Sequence, residues 1–175
     1  MATAERGVTG KALPDGVHDG EGTPQTTFPP LANDEWLYRA VLQPDWFKKG
    51  KLKDRVFMRR PPTIDGQERD AAGLSVALAA GRSEPDTCAA EAAPFNDCQF
   101  VCNISVSTVR ATAKQIGLST ELDAIQDRVN HANITGLPPV PPSDIATVEG
   151  QAERAEARRI GDELAKRAAV VWTKP

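Results

Sequence analysis

The clearest strand signal in this chain is the segment 99–106, which reads QFVCNISV. Its large apolar residues recur at every second position, at Phe100, Cys102, Ile104 and Val106. Side chains of a β-strand alternate between the two faces of a sheet, so these residues are expected to point to one side. The segment therefore predicts a strand with one strongly apolar face.

A helix is expected directly after this strand. Ser107 is a residue type that caps helix N-termini, and Gly117 stands where a left-handed residue usually ends a helix. Between them, Val109, Ala113 and Ile116 fall on one side of a helix. A strand running into an amphipathic helix predicts a sheet covered by helices.

Further strands are predicted on both sides of this unit. Leu74–Leu78 and the segment 130–137 alternate in the same way, whereas 35–42 reads equally as a strand or a short helix. Weaker strand signals occupy three other segments, 55–60, 118–125 and 170–172.

Two more helices are expected. Ser83 can cap a short helix over 84–93, which ends before Pro94. After the rigid connector 138–142, the last helix begins at Ser143 or Thr147. Its small and apolar residues lie on one stripe, which is typical of packing on a sheet.

The chain as a whole is predicted to be an α+β protein. We expect a disordered tail rich in Gly and Pro over 1–33, followed by a single domain over 34–175. The sheet should be mostly antiparallel with four to six strands and two or three helices. The helices that begin at Ser107 and Ser143 should cover one face of it.

Composition narrows the function classes. The 175 residues suffice for one domain with a core of its own, although aromatic residues make up only 5%. No stretch approaches the ~20 apolar residues of a membrane span, and no secretory signal is recognisable at the N-terminus. Three cysteines, an odd number, agree with a reducing compartment, so a cytoplasmic protein without a disulfide framework is expected.

Positive charge is concentrated in residues 46–60, called here the basic segment. It holds seven of the 21 basic residues and one of the 24 acidic ones, so the rest of the chain carries a net charge of −9. Such segregation indicates an anionic partner. The predicted binding residues are Trp46, Lys48, Lys49, Lys51, Lys53, Arg55, Arg59 and Arg60, with Phe47 and Phe57 as further stacking candidates.

Cysteine and histidine raise the question of a zinc site. Cys88, Cys98, Cys102 and His131 have suitable ligand chemistry. However, positions four apart on a strand are separated by roughly 13 Å, too far for Cys98 and Cys102 to hold one ion. No metal and no cofactor are predicted, and buried thiols are the preferred interpretation.

Arg39 and His131 are the two candidates for catalysis. His131 could act as a general base oriented by neighbouring amides, and a cleft shared with Arg39 could hold a nucleotide-like anion. The tripeptide Leu37-Tyr38-Arg39 resembles the first motif of RES-type toxins, a family that consumes NAD and uses an early arginine. The resemblance covers three residues, and no activity is predicted from it.

The favoured prediction is a non-enzymatic accessory protein. It would contact a larger, partly anionic protein or complex through the tail and the basic segment. Nucleic-acid binding by the same segment is the first alternative, and a small enzyme centred on Arg39 and His131 is the second. The oligomeric state is left open.

Overall fold

The computed structural model describes residues 28–61, 70–141 and 147–175, and it confirms the α+β fold. The strands in these parts of the chain are β1 (Trp36–Val41), β2 (Phe47–Lys48), β3 (Lys51–Leu52), β4 (Leu74–Leu78), β5 (Phe100–Ser105), β6 (Asp123–Arg128), β7 (His131–Thr135) and β8 (Ala169–Thr173). The helices are α1 (Glu84–Ala92), α2 (Val106–Gln115) and α3 (Val148–Arg167), with short 3-10 helices at Pro44–Trp46 and Asp54–Phe57.

Six of the strands form one antiparallel sheet in the order β6-β7-β4-β1-β5-β8. The segment that could have been a strand or a helix is β1, and it lies in the middle of the sheet. Strands β2 and β3 form a separate hairpin. The sheet thus falls within the predicted range of four to six strands.

The larger core lies between the sheet and the pair α2 and α3. Leu37, Leu74 and Ile104 reach it from the strands, while Ile160 and Leu164 reach it from α3. All five side chains are at most 1% exposed. Although α3 has 20 residues, none of the helices described here has the length and apolar composition needed to cross a membrane.

Helix α1 covers part of the opposite face of the sheet. The smaller cluster beneath it contains Tyr38, Ala40, Ala77, Cys88 and Val101. The prediction placed the helices that begin at Ser107 and Ser143 on one face and assigned no face to the helix over 84–93, so α1 adds a third layer that the pattern did not indicate. Ser83 caps this helix as predicted, because its Oγ accepts a hydrogen bond from the Asp86 N–H at 3.3 Å.

Two predicted boundaries differ in the structure, and for the last helix one of the two predicted caps is observed. The cap of α2 is Ser105 rather than Ser107, because the Ser105 Oγ accepts from the Thr108 N–H at 3.3 Å and Val106 already begins the helix. The cap of α3 is Thr147, and Ser143 lies outside the described residues. The strand expected at 118–125 is instead Asp123–Arg128, since the Leu118 N–H bonds the Ala113 carbonyl at the end of α2.

The strand predicted at 55–60 is wrong. Residues Asp54–Phe57 form a 3-10 helix in which Val56 and Phe57 are both buried, at 0% and 1% exposure. Consecutive residues of a strand point to opposite faces, whereas a tight helical turn lets two neighbours enter the same core. Burial of both side chains therefore favours the turn.

The folded part begins before residue 34. Leu31 is only 5% exposed and belongs to the larger core. Arg110 donates hydrogen bonds to the Leu31 carbonyl at 3.1 Å and to the Asn33 side chain at 2.6 Å. The end of the predicted tail is thus held against α2, and residues 1–27 lie outside the described part of the chain.

Candidate anion-binding site

The lysines of the basic segment are presented by the β2–β3 hairpin. Lys49 and Gly50 form its two-residue turn with φ values of +52° and +73°. Positive φ at both positions is the signature of a type I′ turn, which favours glycine at one of them. Lys48 and Lys51 face each other across the pair, and Lys48, Lys49, Lys51 and Lys53 are all exposed.

The aromatic residues of the segment have different positions. Phe57 is buried in the core, and Phe47 packs against Phe100 with ring centroids 4.8 Å apart. Trp46 is half-buried and forms part of a cavity wall. Of the three predicted stacking platforms, Phe57 is buried, Phe47 borders a different cavity beside the hairpin, and Trp46 borders the cavity that the arginines also line.

This cavity, called here the arginine cavity, has a volume of about 340 Å³. Five guanidinium groups surround it, three from the basic segment and two from α3. Its lining consists of Trp46, Arg55, Met58, Arg59, Arg60, Pro61, Val140, Pro141, Arg154 and Arg158.

Gly161 lets the basic segment approach α3 closely. A Cβ at this position would lie 2.7 Å from the Asp54 carbonyl oxygen and 2.9 Å from the Met58 side chain. Both distances are shorter than real Cβ contacts allow. Because Arg154, Arg158 and Gly161 follow one another at spacings of four and three, they share one face of α3. The glycine therefore brings the two arginine-bearing elements together.

Arg39, on a central strand of the sheet, holds the basic segment by a hydrogen bond to its backbone. Its Nε donates to the Val56 carbonyl at 2.6 Å, and its Nη1 donates to the Ser75 carbonyl at 2.6 Å. Desolvation lowers the pKa of this guanidinium, although arginine pKa values lie so far above neutrality that it stays charged. Arg39 therefore ties the 3-10 helix to strand β4.

Asp70 pairs with Arg60, one of the cavity arginines. Its carboxylate accepts from the Arg60 backbone N–H at 2.6 Å and from Arg60 Nη2 at 2.7 Å. Burial opposes ionisation of this carboxyl, but the hydrogen bonds from Arg60 outweigh it and lower its pKa. The same bonds raise the pKa of Arg60. Arg60 is thus held in place by a paired charge.

Two cavity arginines differ from the others in the part of the chain that the structure describes. Neither Arg55 nor Arg158 makes an ion pair with a carboxylate of the described residues, and both are exposed. Arg154, by contrast, donates to the Pro141 carbonyl at 3.4 Å. Arg55 and Arg158 are therefore the groups best able to take up an anion from solution.

The structure does not bring Arg39 and His131 into one cleft. Arg39 faces the basic segment, on the side of the sheet covered by α3, whereas His131 lines a cavity beside α1. They approach the same residue from opposite sides, since Arg39 binds the Ser75 carbonyl and the His131 Nε2 lies 2.6 Å from the Ser75 Oγ. The shared anion pocket predicted for them is absent from the described arrangement.

The three cysteines are free and buried. Cys88 and Cys98 belong to the cluster under α1, while Cys102 lies in the larger core on the other face. Burial raises the pKa of Cys88 to about 11 and that of Cys102 to about 12. Within the described ranges no three His, Cys, Asp or Glu side chains are grouped so that they could hold a metal ion.

Arg154 and Arg158 are the site residues that sequence reasoning missed. The sequence pattern places them among the charged residues on the solvated side of the last helix. A signal was present, because they precede Gly161 on the face that carries small residues, and small residues mark the line where another element can approach. The stripe of small residues predicts a packing surface, but the pattern does not show that these two arginines border it.

Comparison of this chain with protein-family models, with curated proteins and with solved structures gives no match.

Proposed function

We propose that the protein binds a single-stranded nucleic acid, with phosphate groups in the arginine cavity and one base against Trp46. The observation that carries the proposal is the convergence of Arg55 and Arg158. They come from separate elements, border the same cavity and are exposed without a carboxylate partner in the described residues. Bringing like charges together costs free energy, so a bound anion explains an arrangement that folding alone does not favour.

Arginine suits a phosphate ligand in particular. The planar guanidinium offers donors in a fork that matches two phosphate oxygens. In the cavity these forks stand beside the apolar surfaces of Trp46 and Met58. A site that combines phosphate donors with an aromatic wall can bind both parts of a nucleotide.

The hairpin lysines extend the positive surface beyond the cavity. Lys48 and Lys51 are directly opposite on neighbouring strands, an arrangement of like charges that destabilises a hairpin. An elongated polyanion would neutralise both of them.

The proposal leaves one aromatic platform instead of three, because Phe47 and Phe57 are used in packing. Stacking of a single base is tolerant of sequence. Affinity should therefore depend on the charge of the nucleic acid and on whether it is single-stranded, with little preference among bases.

The proposal includes a cytosolic location, as the unpaired cysteines suggest, and a larger nucleic-acid-containing complex as the partner. The part assigned to the tail stays a prediction, because residues 1–27 lie outside the described chain. Because the proposed function is binding, it does not require Arg39 to act as a catalytic residue.

Fluorescence anisotropy with labelled single-stranded RNA and DNA 12-mers tests the proposal. Affinity should fall steeply between 50 and 200 mM salt, since each neutralised phosphate contributes about −0.7 to the slope of log K against log salt. The double variant Arg55→Gln/Arg158→Gln should lower this slope by about 0.7 for each lost contact. Trp46 fluorescence should be quenched on binding.

Arg167→Gln is the matched control. It removes one positive charge from the same helix, but Arg167 pairs with Glu163 at 2.8 Å and does not line the cavity. The control should leave affinity nearly unchanged. Binding that is absent or insensitive to salt would overturn the proposal, and retention of an acidic peptide in place of the oligonucleotides would favour an anionic protein surface.

A further inference from the structure

A second polar cluster lies on the face of the sheet beside α1, away from the arginine cavity. The Ser75 Oγ is 2.6 Å from the His131 Nε2, and the His131 Nδ1 is 2.5 Å from an Asp127 carboxylate oxygen. Serine, histidine and aspartate thus form one continuous hydrogen-bonded chain. Ser75 is exposed at the start of it.

The sheet register brings these residues together. Ser75 on β4 is opposite Asn133 on β7, and Ala77 is opposite His131, so the four side chains share one face. The β6–β7 pairing shifts register between Gln126 and Arg128, which leaves Asp127 as the extra residue. Such bulges redirect side chains, and this one places both Asp127 and Arg128 beside His131.

The hydrogen-bond partners define the proton positions. An ionised carboxylate can only accept, so the proton of the neutral imidazole lies on Nδ1 and points to Asp127. The Nε2 lone pair then accepts from the Ser75 hydroxyl. Although desolvation opposes its ionisation, Asp127 has a lowered pKa because of the hydrogen bond from His131, and the Asn133 amide donates to its second oxygen at 3.2 Å.

A small cavity of about 170 Å³ adjoins His131. Arg82 and Arg128 border it, and Glu91 is the one acidic residue in its described lining. Burial raises the pKa of Glu91, which favours its neutral form more than usual. Arg128 lies 4.0 Å from an Asp127 carboxylate oxygen, whereas Arg82 meets only the Leu78 and Ala79 carbonyls among the described residues, so the two guanidinium groups leave a positive charge that favours a small ligand with a negative group.

We propose that Ser75, His131 and Asp127 form an acyl-transfer site that hydrolyses small esters with an anionic acyl group. Ser75 and His131 would be catalytic residues and Asp127 a positioning residue. This activity is independent of the nucleic-acid binding proposed above, because the two sites lie on opposite faces of the sheet.

The chemistry is a two-step displacement. His131 Nε2 takes the hydroxyl proton while Ser75 Oγ attacks the ester carbonyl carbon, and Arg82 and Arg128 supply positive charge for the oxyanion. Collapse of this intermediate breaks the bond to the alkoxide, which leaves as the alcohol with the proton from His131. A water molecule then gives a proton to His131 and attacks the acyl group, releasing the carboxylic acid and restoring the Ser75 hydroxyl.

The first test is covalent labelling by a fluorophosphonate probe, followed by peptide mass spectrometry. Ser75 should be phosphonylated, and the rate should fall by about 100-fold in His131→Gln, because general-base assistance is worth at least that factor. Ser107 is the internal control, since it is exposed but its hydroxyl contacts Ser105 at 3.1 Å and not the histidine. Equal labelling of Ser75 and Ser107, or no effect of His131→Gln, would overturn the proposal.

The second test compares the hydrolysis of 4-nitrophenyl acetate with that of the anionic 4-nitrophenyl hemisuccinate. The hemisuccinate should have the lower KM, and Arg128→Gln should raise that KM while leaving the KM of the acetate unchanged.

Asp127→Asn should lower kcat and displace the pH profile of kcat, an effect that a purely structural residue would not produce. Ser75→Ala should abolish turnover while oligonucleotide binding persists, and turnover that survives in Ser75→Ala would refute the assignment.

Discussion

The two faces of the sheet differ in what they bury. The face under α2 and α3 carries a continuous aliphatic core, whereas the face under α1 carries a smaller cluster and the polar chain from Ser75 to Asp127. The large core fixes the architecture, and the arginine cavity lies at its margin. Both candidate sites therefore lie where the apolar packing of a sheet face ends.

The largest expected effect comes from the core under α3. Leu164→Ala removes a fully buried side chain, which should lower the free energy of unfolding by about 2–5 kcal/mol. Ile125→Ala is the matched change on the face that α1 covers in part, where Ile125 is 54% exposed. It should change the free energy of unfolding by no more than about 0.5 kcal/mol. Urea denaturation measures both values, and equal losses would contradict the distinction between the faces.

The contact between α3 and the basic segment can be tested by the sign of one substitution. Glycine to alanine inside a helix normally stabilises it by about 1 kcal/mol. Gly161→Ala should instead destabilise the protein by about 1–3 kcal/mol, because the added methyl group meets the Asp54 carbonyl. A stabilised variant in thermal or urea unfolding would show that the two elements are not in close contact.

The third expectation concerns Asp70, the carboxyl that pairs with Arg60. The pKa of Asp70 is lowered, so its pairing stabilises the fold above the ordinary aspartate pKa and is lost as the pH falls through the folded value. Asp70→Asn should cost about 1–3 kcal/mol at pH 7. The difference from wild type should shrink at low pH, and a cost independent of pH would contradict the ion pair.

The smallest effect is expected at Glu91, beside α1. Its contribution to stability should change with pH in the opposite direction to that of Asp70. Burial raises the pKa of Glu91, so its stabilising contribution is complete below the ordinary glutamate pKa and is lost as the pH rises through the folded value. Glu91→Gln retains an oxygen that can accept from the Ala40 N–H, so it should gain stability over wild type as the pH rises from 4 to 7. A growing loss over that range would refute this interpretation.

Local patterns were sufficient for most strands and helices. Alternation identified β4, β5 and β7, and serine identified the start of α1, because these signals depend on residues close in sequence. The 3-10 helix at Asp54–Phe57 was missed, since burial of Val56 and Phe57 together depends on a helix about a hundred residues further along the chain. Helix α1 was found, but its face of the sheet could not be predicted from a local pattern.

In the candidate sites, too, local signals were predicted and contacts between distant segments were not. The lysines and arginines of the basic segment were recognised as a run of charge, whereas Arg154 and Arg158 join them only through packing at Gly161. His131 was recognised, but its partners Ser75 and Asp127 depend on strand order and on a bulge. The sequence thus indicates the residue types of each site, whereas contacts between distant segments determine which of these residues are neighbours.

The central claim is that the basic segment and α3 form one anion site, and a double-mutant cycle on oligonucleotide affinity tests it most directly. The cycle compares wild type, Arg55→Gln, Arg158→Gln and the double variant at one salt concentration. Because both guanidinium groups border one cavity, each single change should weaken binding, and the pair should show a coupling free energy of at least about 0.5 kcal/mol. Additive effects, or no loss in either single variant, would contradict a shared site.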